Sequence, residues 1–335
     1  MNLTGNIGAK KWLITGAAGF IGSNLVEALL KLGQQVFGLD NFSTGYRHNL
    51  EEALLGVSQR NRNNFRFIEG DIRSLEDCMQ ACEGVDIVLH QAALGSVPRS
   101  INDPLTTHEV NVDGFVNILI AAKEHKVKRF VFASSSSVYG DDPSLPKHED
   151  STGIPLSPYA VSKKTNELYA STFQDHYKLE TIGLRYFNVF GKRQDPKGAY
   201  AAVIPKWIQQ ILEGNQTIIY GDGETSRDFC YVNNVIQANI RAGLANSAAT
   251  NNIFNIACGH TISLNELYLV ITNELHRYYP ELTTPEPLYV DFRKGDIRHS
   301  LANIDKAKAL LNYNPEYHVV RGLEEAIQWY CEKHN

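Results

Sequence analysis

The sequence predicts an α/β protein: a doubly wound parallel sheet with a smaller mixed α/β lobe toward its C-terminal end. Three observations predict it. Short apolar runs alternate with helical patterns through the first 190 residues. A glycine turn, Gly16-Ala17-Ala18-Gly19-Phe20-Ile21-Gly22, separates the first apolar run from the first helical pattern. After about residue 190 the alternation stops, and glycine, proline and turn residues cluster at 191–198 and 221–223.

Taken in order, Trp12-Leu13-Ile14 reads as a buried first strand, and Leu25, Val26, Leu29, Leu30 and Leu32 mark the apolar face of the helix after it. Further strands are expected at 35–39, 65–68, 85–89, 129–133 and 181–184. Runs of four or five apolar residues without alternation suit strands covered on both faces. The polar stretch 50–64 reads as a helix leading into a surface loop. Beyond residue 200, helices are expected at about 201–213, 232–245, 263–277, 303–311 and 321–333, and 280–300 is loop-rich, with Pro280, Pro285, Pro287 and Gly295. Residues 1–190, with about 229–260, are assigned to the sheet domain, and 191–228 with 261–335 to the lobe.

Hydrophobic residues make up 43% and charged residues 21% of the 335, as in ordinary globular chains. A net charge of −5 gives no global pull toward nucleic acid or anionic lipid, so an anionic ligand must be held by local arginines and backbone amides. Cys78, Cys82, Cys230, Cys258 and Cys331 are irregularly spaced and form no Cys-x-x-Cys, so reduced buried thiols are expected. No metal site is expected. The opening MNLTGNIGAK lacks a signal-peptide core, and no run of about 18 apolar residues occurs, so the expected compartment is the cytoplasm.

The glycine turn carries the first chemistry. Between a strand and a helix, residues without Cβ let the backbone approach a pyrophosphate, and the helix aims its free N–H groups at it. Glycines placed only for tight helix–strand packing are the competing reading. The spacing Gly16-x-x-Gly19-x-x-Gly22 points away from the medium-chain dehydrogenases. Asp40, closing the second strand, suits the adenosine ribose hydroxyls and repels a 2′-phosphate, so NAD is favoured over NADP. Asp71-Ile72, after the third strand, suits an adenine pocket, with Asp71 capping the next helix as the alternative.

Tyr159 and Lys163 form a Tyr-x-x-x-Lys pair, placed on one helical face by their spacing. The nearby ammonium is expected to favour the phenolate of Tyr159, whose ordinary pKa is about 10. Ala133-Ser134-Ser135-Ser136-Ser137-Val138-Tyr139-Gly140 follows the fifth strand, at the carboxyl edge where such sheets bind ligands.

With these motifs the whole chain resembles the extended short-chain dehydrogenase/reductases, a Rossmann-like family, and within them the nucleotide-sugar C4-epimerases. The runs His90-Gln91-Ala92-Ala93-Leu94-Gly95-Ser96-Val97-Pro98-Arg99-Ser100 and Leu184-Arg185-Tyr186-Phe187-Asn188-Val189-Phe190-Gly191 are similar to those of bacterial UDP-N-acetylglucosamine 4-epimerases of surface-polysaccharide (O-antigen) pathways. The resemblance implies that Ser135, Tyr159 and Lys163 are catalytic, with Ser134 and Ser136 as neighbours that leave the serine assignment open. It implies NAD contacts from Gly16, Gly19, Phe20, Ile21, Gly22, Asp40, Asn41, Ser43, Thr44, Gly45, Asp71, Ile72, Gln91, Ala92, Ala93, Asn111, Tyr159, Lys163 and Tyr186. It implies UDP-sugar contacts from Gly95, Ser96, Ser135, Ser136, Tyr159, Asn188, Val203, Tyr220, Arg227, Arg293, Asp296 and Ser300. Two guanidiniums suit a diphosphate, and a carboxylate suits ribose hydroxyls; each arginine alone reads equally as a surface ion pair.

The implied reaction is transient oxidation at C4 with a tightly bound NAD regenerated each cycle. The sister 4,6-dehydratases usually carry Thr-Asp-Glu where this chain has Ser135-Ser136-Ser137, and the decarboxylases usually keep a glutamate at the Ser137 position. Serines cannot supply that acid and base, so epimerisation is favoured. UDP-galactose 4-epimerases close the sugar pocket with a tyrosine where this chain has Ser300, which leaves room for a 2-acetamido group. UDP-GlcNAc/UDP-GalNAc interconversion is therefore expected, with the corresponding uronic acids as the alternative. A non-catalytic NAD sensor and a net dehydrogenase or reductase are the readings from other classes. The resemblance also implies a homodimer through helices near 105–124 and 157–176, and no nucleic-acid or membrane partner.

Overall fold

The computed structural model describes residues 8–198, 201–292 and 297–334. Seven parallel strands form its main sheet: β1 (Lys11–Thr15), β2 (Gln35–Asp40), β3 (Phe65–Glu69), β4 (Ile87–His90), β5 (Arg129–Ser135), β6 (Glu180–Tyr186) and, far along the chain, β11 (Asn252–Ile256). Their order is β11-β6-β5-β4-β1-β2-β3. The order reverses between β1 and β4, and a crevice opens there at the carboxyl ends. Trp12, Leu13, Ile14, Val88, Leu89, Phe130 and Val131 are fully buried, as a sheet covered on both faces requires.

Two apolar clusters lie on the two faces of the sheet. One joins Leu25, Val26, Leu29 and Leu30 of the helix Phe20–Lys31 to Val235, Ile236 and Ile240 of the helix Val232–Leu244. The other packs Phe115, Ile118 and Leu119 of the helix Gly114–Glu124 against Phe130, Phe132 and Val88. The first cluster runs on into the second half of the chain through Trp207, Leu267, Ile271 and Leu323, so sheet and lobe share a core.

The helix expected near 105–124 is divided. Pro104–His108 and Gly114–Glu124 are α-helical, and a π-helical turn, Glu109–Asp113, joins them. Such a turn holds an extra residue that sequence periodicity does not reveal. The stretch 50–64 holds parts of two helices, Arg47–Leu55 and Gln59–Arg62. The lobe adds three small sheets: β7 (Val189–Phe190) with β10 (Cys230–Tyr231), β8 (Ile218–Tyr220) with β13 (Leu288–Val290), and β9 (Ser226–Arg227) between β12 (Ile262–Ser263) and β14 (His299–Ser300). Two of these strands lie in the segment read as loop, because their two or three residues are too few to show a period. All five cysteines are buried and unbridged.

Candidate functional site

The glycine turn is tied to the strand beside it. Gly16 and Ala17 both donate to the Leu39 carbonyl, at 2.8 and 3.3 Å. Gly16 has φ +69°, and a Cβ there would stand 2.8 Å from the Ala92 nitrogen. At Gly22 a Cβ would stand 2.0 Å from the Gly16 carbonyl oxygen. Both positions therefore exclude side chains, which keeps the turn's backbone open at the start of Phe20–Lys31. No side chain caps that helix, so its first N–H groups remain available to a ligand anion.

Asp40 ends β2 beside this turn. One carboxylate oxygen accepts from the Ala18 N–H at 2.9 Å and the other from the Phe42 N–H at 2.8 Å. Burial pushes its pKa up against these two hydrogen bonds. Asp71 does not cap the following helix: Ser74 does so by accepting from Asp77 N–H. Asp71 instead accepts from Asn41 at 2.8 Å and from Arg73 at 2.7 Å. Arg73 holds its carboxyl below the usual range.

These groups share one cleft of about 730 Å³, near the upper end of the range for ligand sites of ~300–1,000 Å³. Its walls bring together Gly16, Gly19, Phe20, Ile21, Gly22, Asp40, Asn41, Ser43, Thr44, Asp71, Ile72, Gln91, Ala92, Ala93, Gly95, Ser96, Ser135, Tyr159, Lys163, Tyr186 and Asn188. Asn111 is buried behind the wall: it accepts from Leu94 N–H at 2.7 Å and donates to Leu94 O at 3.0 Å and Ser162 Oγ at 3.2 Å. Its work is to fix the backbone of the wall, not to form its surface. Gly45 packs under Ala18, where a Cβ would have 2.7 Å of space. Ser136, Val203, Tyr220, Arg227 and Ser300 stand outside these walls. Arg227 and Ser300 are register partners on β9 and β14. Arg293 and Asp296 lie outside the described residues.

At the carboxyl end of β5, Tyr159 and Ser135 both line the cleft. The Ser137 N–H donates to Ser135 Oγ at 3.1 Å, fixing that hydroxyl. Ser134 is turned away and donates to Glu167 at 2.7 Å, inside a buried Glu167–Arg185 pair. Lys163 donates to the Ala133 carbonyl at 2.9 Å, with its nitrogen 6.0 Å from the Tyr159 ring centre. The expected depression of Tyr159 by Lys163 meets burial, which pushes the phenol the other way. Burial raises the phenol, opposed by the nearby Ser135 hydroxyl, and burial brings Lys163 itself down to about 8. The ammonium is held by the Ala133 carbonyl, with the phenol ring nearby.

Residues that motif reading passed over complete the wall. Asn239 donates to the Tyr186 hydroxyl at 2.8 Å, that hydroxyl donates to Gln91 Oε1 at 3.0 Å, and Gln91 donates back to Asn239 at 3.0 Å. The closed ring of three orients Gln91 and Tyr186. Tyr46, Arg99, Gln194 and Asp195 also line the cleft. No short motif marks Tyr46, Gln194 or Asp195, which loops bring there; Arg99 comes from the short helix Val97–Asn102.

The cleft fits a dinucleotide: a turn that excludes side chains, an uncapped helix start and a carboxylate at the end of β2. Residues 12–257 match the model of the NAD dependent epimerase/dehydratase family. Among solved structures, the UDP-N-acetylglucosamine 4-epimerase of Methanobrevibacter ruminantium M1, in complex with UDP-N-acetylmuramic acid, is 38% identical with a TM-score of 0.88. That match covers 98% of this chain and all of the other. The UDP-glucuronic acid 4-epimerase of Bacillus cereus, with UDP-glucuronic acid and NAD, is 31% identical with a TM-score of 0.83, covering 97% and 100%. The UDP-glucose 4-epimerase of Mycolicibacterium smegmatis is 35% identical over 96% of this chain and 98% of its own. This chain therefore belongs to the NAD dependent epimerase/dehydratase family, and its cofactor is NAD.

Proposed function

We propose that the chain is a UDP-sugar 4-epimerase acting on UDP-N-acetylhexosamines, interconverting UDP-GlcNAc and UDP-GalNAc. One observation carries the reaction type: Ser135 and Tyr159 line the same cleft at the carboxyl end of β5, with serine, not acid, at 136 and 137. NAD, when bound, supplies reversible acceptance of hydride from the sugar C4. Tyr159 Oη takes the proton from the sugar O4 and later returns it. Ser135 donates to the same oxygen as charge develops there, and its own orientation is held by the Ser137 N–H. Lys163, anchored on Ala133, keeps a positive charge beside the phenol. After rotation of the 4-keto sugar about its diphosphate linkage, the opposite C4 face is presented.

Arg227, with Arg293 and Asp296, is proposed to hold the UDP group. Ser300 supports the acetamido preference, because it puts a small side chain opposite Arg227 in the lobe. The 38% identity to a UDP-N-acetylglucosamine 4-epimerase supports it too. The same pocket read with C6-oxidised sugars is the second reading, favoured by the likeness to a UDP-glucuronic acid 4-epimerase. We also propose a homodimer through the helix Pro158–Tyr177 and the helices before it, since Leu105, Val161 and Leu168 are exposed there. NMR of the products from UDP-GlcNAc, its C6 acid, UDP-glucose and UDP-glucuronic acid, without added cofactor, tests the substrate. Fastest inversion at C4 of UDP-GlcNAc is expected. A preference for UDP-glucose overturns the acetamido assignment, and no inversion of any sugar overturns the reaction.

A further inference from the structure

Two loops from distant parts of the chain both line the cleft. Asn41, Ser43, Thr44 and Tyr46 follow β2, and Gln194, Asp195 and Gly198 follow β7. They meet where the Tyr46 hydroxyl donates to Asp195 Oδ2 at 2.8 Å.

Each partner of this bond is held from behind. The Tyr46 N–H donates to the Ala18 carbonyl at 3.0 Å, and Asn49 donates to the same oxygen at 2.9 Å, so Tyr46 is seated on the glycine turn. Asp195 accepts from the Lys197 N–H at 2.8 Å through Oδ1, which aims Oδ2 at the tyrosine. The root of the second loop is tied to the first helix. Arg193, buried with φ +66°, donates to Asn24 at 2.8 Å and to Glu27 at 2.6 Å. Tyr330 adds a bond to the Gln194 carbonyl at 2.6 Å.

The contacts make a closed ring: glycine turn, first helix, Arg193, Asp195, Tyr46 and back to Ala18. Its links differ in strength. Arg193 is 3% exposed, and Tyr46 is 42% exposed. An exposed hydrogen bond between two loops opens more readily than a buried ion pair on a helix.

We propose that Tyr46–Asp195 is a latch between these two loops and that its opening sets how slowly bound NAD leaves. The proposal rests on the reading of NAD as a retained group. It gives Tyr46 and Asp195 a positioning role in a reaction whose cofactor must stay through both hydride transfers.

The test is exchange of bound NAD against labelled NAD in the purified full-length protein. Denaturing the wild type should first release bound dinucleotide, close to one per chain. Tyr46→Phe and Asp195→Ala should each speed exchange by about three- to tenfold, the worth of one hydrogen bond. The double variant should exchange no faster than the faster single one, because both remove the same bond. Their unfolding midpoints should stay at that of wild type. Wild-type rates in both variants, or independent and additive effects, overturn the latch while retention stands. Faster exchange that only tracks a fall in unfolding midpoint overturns it as well. Wild type isolated without dinucleotide overturns retention, and the latch with it.

Discussion

Thr15 and His90 share a 2.8 Å hydrogen bond across adjacent strands, at the last residues of β1 and β4. Each is followed at once by a residue of the cleft wall, Gly16 and Gln91. The Ala92 N–H donates to the Thr15 hydroxyl at 3.2 Å, so the pair also braces the second of these turns. His90 is buried among Phe115 and Phe130, and burial brings its pKa down to about 3, with the Lys163 charge adding to the effect.

This fixes the sign of an acid effect. The folded pKa lies below the ordinary value of 6.5, so the unfolded chain takes up the proton first. The His90 contribution is fully present above pH 6.5 and is lost as pH falls from 6.5 toward 3. His90→Asn should therefore cost stability at pH 7.5, and the gap to wild type should narrow by pH 5. Urea unfolding of both proteins at the two pH values measures it; a gap constant with pH would contradict the assignment.

Glu27 gives a second titration of the same sign at lower pH. Burial alone would raise its carboxyl, but Arg193 and Lys192 outweigh burial and hold it at about 2. Its stabilisation is present above pH 4.5 and is lost as pH falls toward 2. Glu27→Gln leaves the buried Arg193 with only the more distant Glu52, 3.8 Å away, and should cost up to about 3–5 kcal/mol at pH 7. The loss should shrink by pH 3, read by the same unfolding measurement.

Tyr159→Phe should lower kcat by about 100- to 10,000-fold, the range of a lost general base, while dinucleotide remains bound. Ser135→Ala should lower it by about a hundredfold, as for one lost donor to a developing charge. Ser134→Ala should act through stability, since that hydroxyl is engaged with Glu167. Steady-state kinetics with a count of dinucleotide released on denaturation separates the three. Full turnover in Tyr159→Phe would remove it from the mechanism.

Gly16→Ala adds a methyl at φ +69° and 2.8 Å from the Ala92 nitrogen. Strain of about 1–3 kcal/mol is expected, with loss of retained NAD exceeding the loss of fold. Thermal unfolding and dinucleotide content, measured on one preparation, report the two effects.

Leu168→Asp should convert the proposed dimer to monomer, because an exposed leucine on Pro158–Tyr177 would become a buried charge at the interface. Light scattering on the eluted protein gives the mass directly, and an unchanged dimer would place the interface elsewhere.

The sequence by itself determined the six leading strands, the glycine turn and the Tyr159–Lys163 helix, since each is written in a local period or spacing. It also placed Ser135 at the carboxyl edge of β5. What only the tertiary structure decided depends on residues far apart in the chain. The seventh strand, β11, joins beside β6 after more than sixty intervening residues. The ring of Gln91, Tyr186 and Asn239 comes from three separate elements. The structure separates Ser134 from Ser135, because Glu167 engages the Ser134 hydroxyl while Ser135 lines the cleft with Tyr159. It also places the Lys163 ammonium on the Ala133 carbonyl. Helical spacing puts two residues on one face, but the Ala133 carbonyl at the end of β5 decides where the ammonium rests, and burial decides which way both groups titrate.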